Sequence, residues 1–261
     1  MNSPTPGSES SNNPVFDVRD ITYRYPGVTA LDGLSLSIHR GERCALLGAN
    51  GSCKSTLLRI LDGLDDPQSG DVLFCGTPLT QQRLQDDRFS FDFRRRVGFV
   101  FQNPDVQLFS PTVFDEIAFG PLQLRWPSDE IRRRVTVTLE TMEIGHLKDR
   151  SPHQLSIGEK KSVALASVLI LDPEILLLDE PTASLDPKNE SRMIDFLVNC
   201  KGGARTVVIA THDLGIAADI ADRCYIFQNG RIAAGGIPAD ILADTSLLER
   251  TNLIRARHSA G

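Results

Sequence analysis

A chain of 261 residues, 41% of them hydrophobic, is long enough to bury one large core or a core with a smaller subdomain. A net charge of −6 argues against a general nucleic-acid binder, so no nucleic-acid partner is expected. Five cysteines without a C-x-x-C pair and five histidines without ligand spacing predict reduced thiols and no structural metal.

Residues 1–14 are mostly Ser, Asn, Pro and Gly, which predicts a flexible tail lacking the basic start and apolar stretch of a signal peptide. No run of about 18 apolar residues occurs, which predicts a cytoplasmic chain that spans no bilayer. "VFDVRDITYRY", "LSLSIHR" and "DVLFCG" carry period-two or β-rich patterns and predict an antiparallel layer near the N-terminus. "RCALLG" differs: a short apolar run feeds a glycine loop and the helix "KSTLLRILDGL". The runs "VGFVF" (97–101), "EILLLDE" (174–180), "TVVIATH" (206–212) and "RCYIF" (223–227) predict parallel strands buried on both faces. Between them the pattern turns helical, about 103–171, including "PSDEIRRRVTVTLETM" with Ser128 as expected N-cap. The arginine triplets 94–96 and 132–134 read as solvated helix faces or turns.

Two motifs carry chemistry. "GANGSCKST" (48–56) nearly matches the phosphate-binding pattern G-x-x-x-x-G-K-[ST], with Cys53 in place of the second glycine. Gly48, Asn50, Gly51, Ser52 and Cys53 would cradle phosphates with backbone N–H groups, and Lys54 would reach the β- and γ-phosphates. Ser55 would ligate Mg²⁺, and Thr56 would hold phosphate through its hydroxyl or N–H. "ILLLDEP" sets Asp179 and Glu180 at the carboxyl end of a buried strand, where open α/β sheets bind ligands. Asp179 suits an outer role on Mg²⁺, and Glu180 could polarise an attacking water as general base.

Lys54, Gln102, "LSIGEKK" (155–161), Asp179-Glu180, "SLDP" (184–187) and "THD" with His212 form one ordered set. With it, roughly residues 15–243 resemble the ATP-binding cassette (ABC) family. "VFQNPDVQLFSPTVFDEIAFGPLQL" (100–124) is similar to the same stretch in energy-coupling-factor importer ATPases of the cobalt/nickel branch. The resemblance implies an α/β P-loop NTPase of the ABC type: a mixed sheet core, an N-terminal antiparallel β layer and an inserted α-helical subdomain. It places the ATP-binding domain at 15–243 and leaves 244–261 as a C-terminal tail.

The resemblance also implies roles. Tyr25 would stack on adenine, unless it is a core tyrosine of the first sheet. Gln102 would sense Mg²⁺ or water, and His212 would contact the γ-phosphate and position water. Ser156, Gly158 and Glu159 of the signature would meet the ATP of an opposite protomer, and Asp186 would cross that interface. The active form is then a head-to-tail dimer of ABC protomers, homo- or heterodimeric, sandwiching two ATP molecules.

Phe101, Phe109, Phe114 and Phe119 either build a groove for a helix of an integral membrane coupling subunit or fill the helical subdomain. A substrate-binding membrane subunit would complete the complex at the cytoplasmic face of the membrane. The implied function is an ATPase powering import of cobalt, nickel or a vitamin-like micronutrient. The alternative is a regulatory or soluble ABC protein with weak hydrolysis and no transport role.

Cys53 and Ile157 depart from the family pattern, the latter replacing the first glycine of the signature, and Glu159 stands in its glutamine position. Cys53 costs little at negative φ and about 1–2 kcal/mol at positive φ. Beside Lys54 at a helix N-terminus, its thiol is expected to ionise readily and to be the most reactive of the five.

Overall fold

The computed structural model describes residues 14–200 and 204–255. The tail expected over 1–14 therefore lies, except for Pro14, outside the described residues, as do 256–261.

Alternating burial makes the first strands a layer with one face on the core. β1 (Phe16–Tyr25) and β2 (Val28–Ile38) form an antiparallel hairpin with Phe16 opposite Ile38. Phe16 and Val18 face inward, and a bulge then shifts the phase so that Ile21 is buried too. In that bulge Asp20 has a φ of 50°. The carbonyls of Arg19 and Asp20 press on Gly70 so closely that a Cβ there would sit 2.4 Å from each oxygen. Gly70, itself at φ 81°, is the residue that lets the two backbones meet.

β3 (Arg43–Leu47) runs into α1 (Lys54–Leu61), and β4 (Ser69–Phe74) and β5 (Thr77–Pro78) complete the first sheet in the order β2-β1-β4-β5. α2 (Asp87–Arg96) follows, a helix the sequence reading leaves out. Its mean composition is strongly polar, yet Asp86 caps it by accepting from the Phe89 N–H and Phe93 anchors it in the core. The arginine triplet is its last turn: Arg94 binds Asp62, and Arg96 binds Asp92 and Glu174.

β6 (Val97–Val100) leads into the helices α3 (Val113–Gln123), α4 (Ser128–Thr141) and α5 (Ile157–Leu169). Ile117, Val135, Leu139, Val163 and Ala164 pack together as their core. α4 starts at Ser128 itself, and the N-cap position falls on Pro127, not Ser128, with no side-chain cap. Proline presets the extended backbone needed there, and Asp129 and Glu130 supply the negative charge of the first turn.

The chain then alternates β7 (Ile175–Asp179), α6 (Pro187–Asn199), β8 (Thr206–Thr211), α7 (Leu214–Ile220) and β9 (Arg223–Gln228). The second sheet has the order β10-β9-β3-β8-β7-β6, parallel except for β10 (Arg231–Gly236), which pairs antiparallel with β9. All residues of β3, β7 and β8 are buried, so their unbroken apolar runs are covered on both faces. Each of Leu176, Leu177 and Leu178 contributes about 1.5–3 kcal/mol by leaving water.

Packing continues past residue 243, where the sequence places only a tail. α8 (Pro238–Ala243) and α9 (Thr245–Arg250) bury Ile241, Leu247 and Leu248 against Leu47 and Ile226. Those apolar residues serve this chain's own core.

Parallel register decides where chemistry can happen. Leu47 lies opposite Thr211, and Asp179 opposite Ala210, so three strands end together. Gly48, Glu180 and His212 follow at that shared edge.

Candidate functional site

The loop between β3 and α1 wraps around the Lys54 ammonium. Lys54 is buried, and its Nζ donates to the Gly48 carbonyl at 2.7 Å and the Ala49 carbonyl at 3.3 Å, with Ser52 Oγ at 3.5 Å. A side chain at Gly48 would fill the cradle: its Cβ would stand 2.4 Å from Ser52 Oγ and 2.9 Å from the Phe227 carbonyl. Asn50 and Gly51 form the exposed apex, Gly51 with a φ of 81°.

Cys53 closes the loop at φ 69°, ψ 25°, in the left-handed region that favours glycine. The costly alternative for this residue is the one realised. Its Sγ lies 3.5 Å from the Gly51 carbonyl. Burial pushes the thiol above the ordinary cysteine value, and Lys54 only partly opposes it. The expected readily ionised thiol is therefore corrected: partial desolvation outweighs the neighbouring cation. Of the five thiols, Cys75 is the exposed one, with Arg96 Nη2 at 3.2 Å.

Two acid–hydroxyl and acid–imidazole contacts face this loop. Ser55 Oγ donates to Asp179 Oδ1 at 3.0 Å, joining the first turn of α1 to the end of β7. Glu180 holds the His212 Nδ1 at 3.0 and 3.1 Å with its two oxygens and accepts from Thr211 Oγ1 at 3.5 Å. Its Oε1 is 3.7 Å from Lys54 Nζ. Glu180 is buried, whereas the His212 side chain is 53% exposed, so the pair spans from interior to surface. Burial raises the Asp179 pKa while the Ser55 hydrogen bond opposes that rise. Burial lowers the Lys54 pKa, and Glu180 and Asp179 oppose that change. Asp179, Glu180 and Lys54 thus share a desolvated edge, where the ammonium favours the Asp179 carboxylate and the neighbouring Glu180 opposes it.

Tyr25 ends β1 with its hydroxyl 3.3 Å from Thr56 Oγ1 and its ring edge-on to Tyr23. At 42% exposure it is not a core tyrosine, and its hydroxyl contact with Thr56 places it beside the loop. Gln102 lies exposed just beyond β6.

The signature residues sit at the N-terminus of α5. Ser156 is its N-cap, in a reciprocal capping box with Glu159: the Ser156 N–H donates to Glu159 Oε2 at 2.7 Å, and the Glu159 N–H donates to Ser156 Oγ at 3.3 Å. That backbone hydrogen bond lowers the Glu159 pKa. The glutamate in the signature is therefore engaged in capping its own helix. Ile157 is 44% exposed beside it, and Gly158 is buried against Asn189. Asp186 caps α6, accepting from the Lys188 and Asn189 N–H groups and from Asn189 Nδ2. Sequence reading missed Lys161, Asn189 and Thr211, whose contacts join segments distant in sequence and leave no local pattern.

Residues 31–183 match the family described as "ABC transporter". The chain belongs to the ABC transporter family. It is 52% identical to the nickel import ATP-binding protein NikO of Rhodobacter capsulatus, covering 92% of this chain and 96% of that protein. Among solved structures, cbiO1 of Clostridium perfringens, part of the ABC transporter complex cbiONQ, matches with a TM-score of 0.77 at 39% identity. That match covers 94% of this chain and 96% of cbiO1. A dimeric ATP-binding cassette, MJ0796 bound to ADP and Pi, matches with a TM-score of 0.76 at 28% identity, covering 85% and 98%. This ABC ATPase therefore binds and hydrolyses ATP as a transporter subunit, in a family whose cassettes dimerise and work with membrane subunits.

Cys53 makes a prediction about that binding. Cys53→Gly is expected to tighten Mg-ATP binding by about five- to thirty-fold, the worth of the 1–2 kcal/mol steric penalty if the phosphate-binding shape carries it. Equilibrium binding to parent and variant checks this. Equal affinities mean that the folded loop holds the strain with or without nucleotide.

Proposed function

We propose that this chain hydrolyses Mg-ATP to drive uptake of a transition-metal ion, nickel or cobalt, through membrane-embedded partners. The single observation that carries the chemistry is the convergence of Lys54, Ser55, Asp179, Glu180 and His212 on one edge within hydrogen-bond or ion-pair reach. Likeness to a nickel import protein supports the substrate class.

Each residue has a role in this reading. The loop N–H groups from Gly48 to Thr56 hold phosphate oxygens, and Lys54 exchanges its carbonyl contacts for the β- and γ-phosphates. Tyr25, exposed at the end of β1, stacks on the adenine. Glu180 accepts the proton of the attacking water, and His212, fixed by Glu180, holds that water and the γ-phosphate.

The donor set fits Mg²⁺. Ser55 and Asp179 offer a hydroxyl and a carboxylate oxygen side by side, hard ligands suited to an ion that takes its remaining ligands from phosphate and water. Gln102 stands at the adjoining strand end to sense it. When bound, the ion neutralises charge on the phosphates.

Ser156 and Gly158, at the positive end of α5, meet the γ-phosphate of a second cassette, and Asp186 lies at the same face. In a homodimer Cys53 and Ile157 occur in both composite sites, whereas a heterodimer with a cassette of ordinary pattern divides them.

The membrane partner docks on the helical side. Of the four phenylalanines expected there, Phe101 packs on Phe99 and Phe114 packs inward under Lys148. Phe109 and Phe119 remain exposed, edge-to-face at 4.8 Å, and carry the groove reading. A separate cavity of about 860 Å³ lies between α2 and the end of α3, lined by Asp87, Phe91, Arg94, Leu124 and Arg125. Among the described residues no helix is long and apolar enough to cross a membrane. In this reading the chain is a peripheral protein held at the cytoplasmic face by its membrane-embedded partners.

Coexpression with the neighbouring membrane components tests the assembly. The chain is expected in the membrane fraction, with ATP hydrolysis faster in the complex than in the isolated chain. Recovery only in the soluble fraction with nucleic acid bound would overturn the proposal.

A further inference from the structure

We propose that Lys161 is a positioning residue for hydrolysis that holds the backbone of Glu180 through its ammonium; this rests on Glu180 being the general base. α5 carries Lys161 inward, where it is 4% exposed. Its Nζ donates to the Glu180 carbonyl at 2.8 Å and the Ala183 carbonyl at 2.6 Å, with the Pro181 carbonyl at 3.5 Å. These acceptors are all main-chain oxygens of one short turn. An ammonium stripped of water is costly to bury unless its donors are matched, and here the three N–H groups meet three carbonyls.

The turn needs such a clasp. Glu180 has a φ of 46° and Ser184 a φ of 62°, left-handed values that side-chain-bearing residues keep only when their surroundings fix them. The Glu180 N–H donates to the Ala210 carbonyl of β8 at 2.9 Å, so β8 holds the amide of this residue and Lys161 holds its carbonyl. Between those two anchors, the Glu180 side chain has little freedom but to face His212 and Lys54.

The same helix also packs closely on the far end of the same segment. A Cβ at Gly158 would lie 2.7 Å from Asn189 Nδ2, and that amide donates to Asp186 at 2.5 Å. α5 therefore holds this segment at Lys161 and lies against it at Gly158, where, with Asn189 as placed, only a glycine fits. Ser156, the N-cap of α5, lies less than two turns from Lys161 on the same rigid rod. A shift of the α5 N-terminus on engaging a phosphate is carried through Lys161 to the Glu180 carbonyl, linking the signature of one composite site to the base of the other.

Steady-state and single-turnover ATP hydrolysis and equilibrium Mg-ATP binding are to be compared for the complete chain and for Lys161→Met, Lys161→Gln, Glu180→Gln and Lys161→Met/Glu180→Gln. Lys161→Met is expected to lower kcat by about ten- to a hundred-fold, the range for a displaced reacting group, without loosening Mg-ATP binding. Lys161→Gln, which keeps two donors for the carbonyls and guards against a misfolded methionine variant, is expected to lose less. Retained Mg-ATP affinity shows that a variant is folded.

In the Glu180→Gln background the methionine change should cost nothing further, because the group it positions is already gone. Parent kcat in both Lys161 variants, with Glu180→Gln inactive, overturns the inference. So does a full additional loss in the double variant, which marks general weakening of the fold. Hydrolysis by Glu180→Gln at the parent rate instead removes the reading of Glu180 as base, a separate result.

Discussion

Glu180→Gln is expected to lower the rate of ATP hydrolysis by about a hundred- to ten-thousand-fold, the usual worth of a positioned general base. The amide matches the carboxylate in shape and still reaches His212, but it cannot take a proton from water. Nucleotide binding should survive, because the substitution removes a negative charge 3.7 Å from Lys54 and leaves that ammonium wholly to the phosphates. A bound, uncleaved ATP then holds two cassettes together. Size-exclusion chromatography in Mg-ATP should show a persistent dimer for the variant and a transient one for the parent. Hydrolysis at the parent rate means that another group activates the water.

Lys54→Met is expected to weaken ATP binding by about ten- to a hundred-and-fifty-fold, equivalent to about 1.5–3 kcal/mol for hydrogen bonds to a charged group. The apolar stem is preserved, so packing at the start of α1 changes little. Charge balance changes more: Asp179 and Glu180 stay buried with one cation fewer, and breaking a buried pair costs about 3–5 kcal/mol when the remaining charge is left alone. Lys161 remains near both carboxylates and moderates this cost. The thermal midpoint should fall together with affinity. Unchanged affinity would show that the loop N–H groups suffice for phosphate and that Lys54 serves only to hold the loop closed.

Much of this site is legible in the sequence because its parts are local. The loop 48–56 is continuous, and the apolar runs ending at Asp179 and Thr211 point to one edge once they are read as parallel strands. Register then brings Glu180 to His212, a meeting that neither motif contains.

What sequence reading misses depends on contacts between distant segments. α2 looks polar because most of its side chains are exposed or paired, and only Phe93 is fully buried. Lys161 looks like one more charge after the signature, yet its partners lie 19 to 22 residues on, in another loop. Glu159 and Cys53 have local partners and conformations that only the folded chain discloses. The glutamate sits in a nucleotide-contacting position of the family pattern but turns back to cap α5. The cysteine sits beside a cation, but partial burial decides the state of its thiol. The sign of φ at Cys53 is likewise a property of the folded loop that the residue type does not disclose.

Metal uptake tests the central claim most directly. Radiolabelled nickel or cobalt is to be followed into vesicles or cells carrying the membrane components with either the parent chain or Glu180→Gln. ATP-dependent accumulation with the parent, falling to background with the variant, is the predicted result. Accumulation that is the same with both chains would contradict the account.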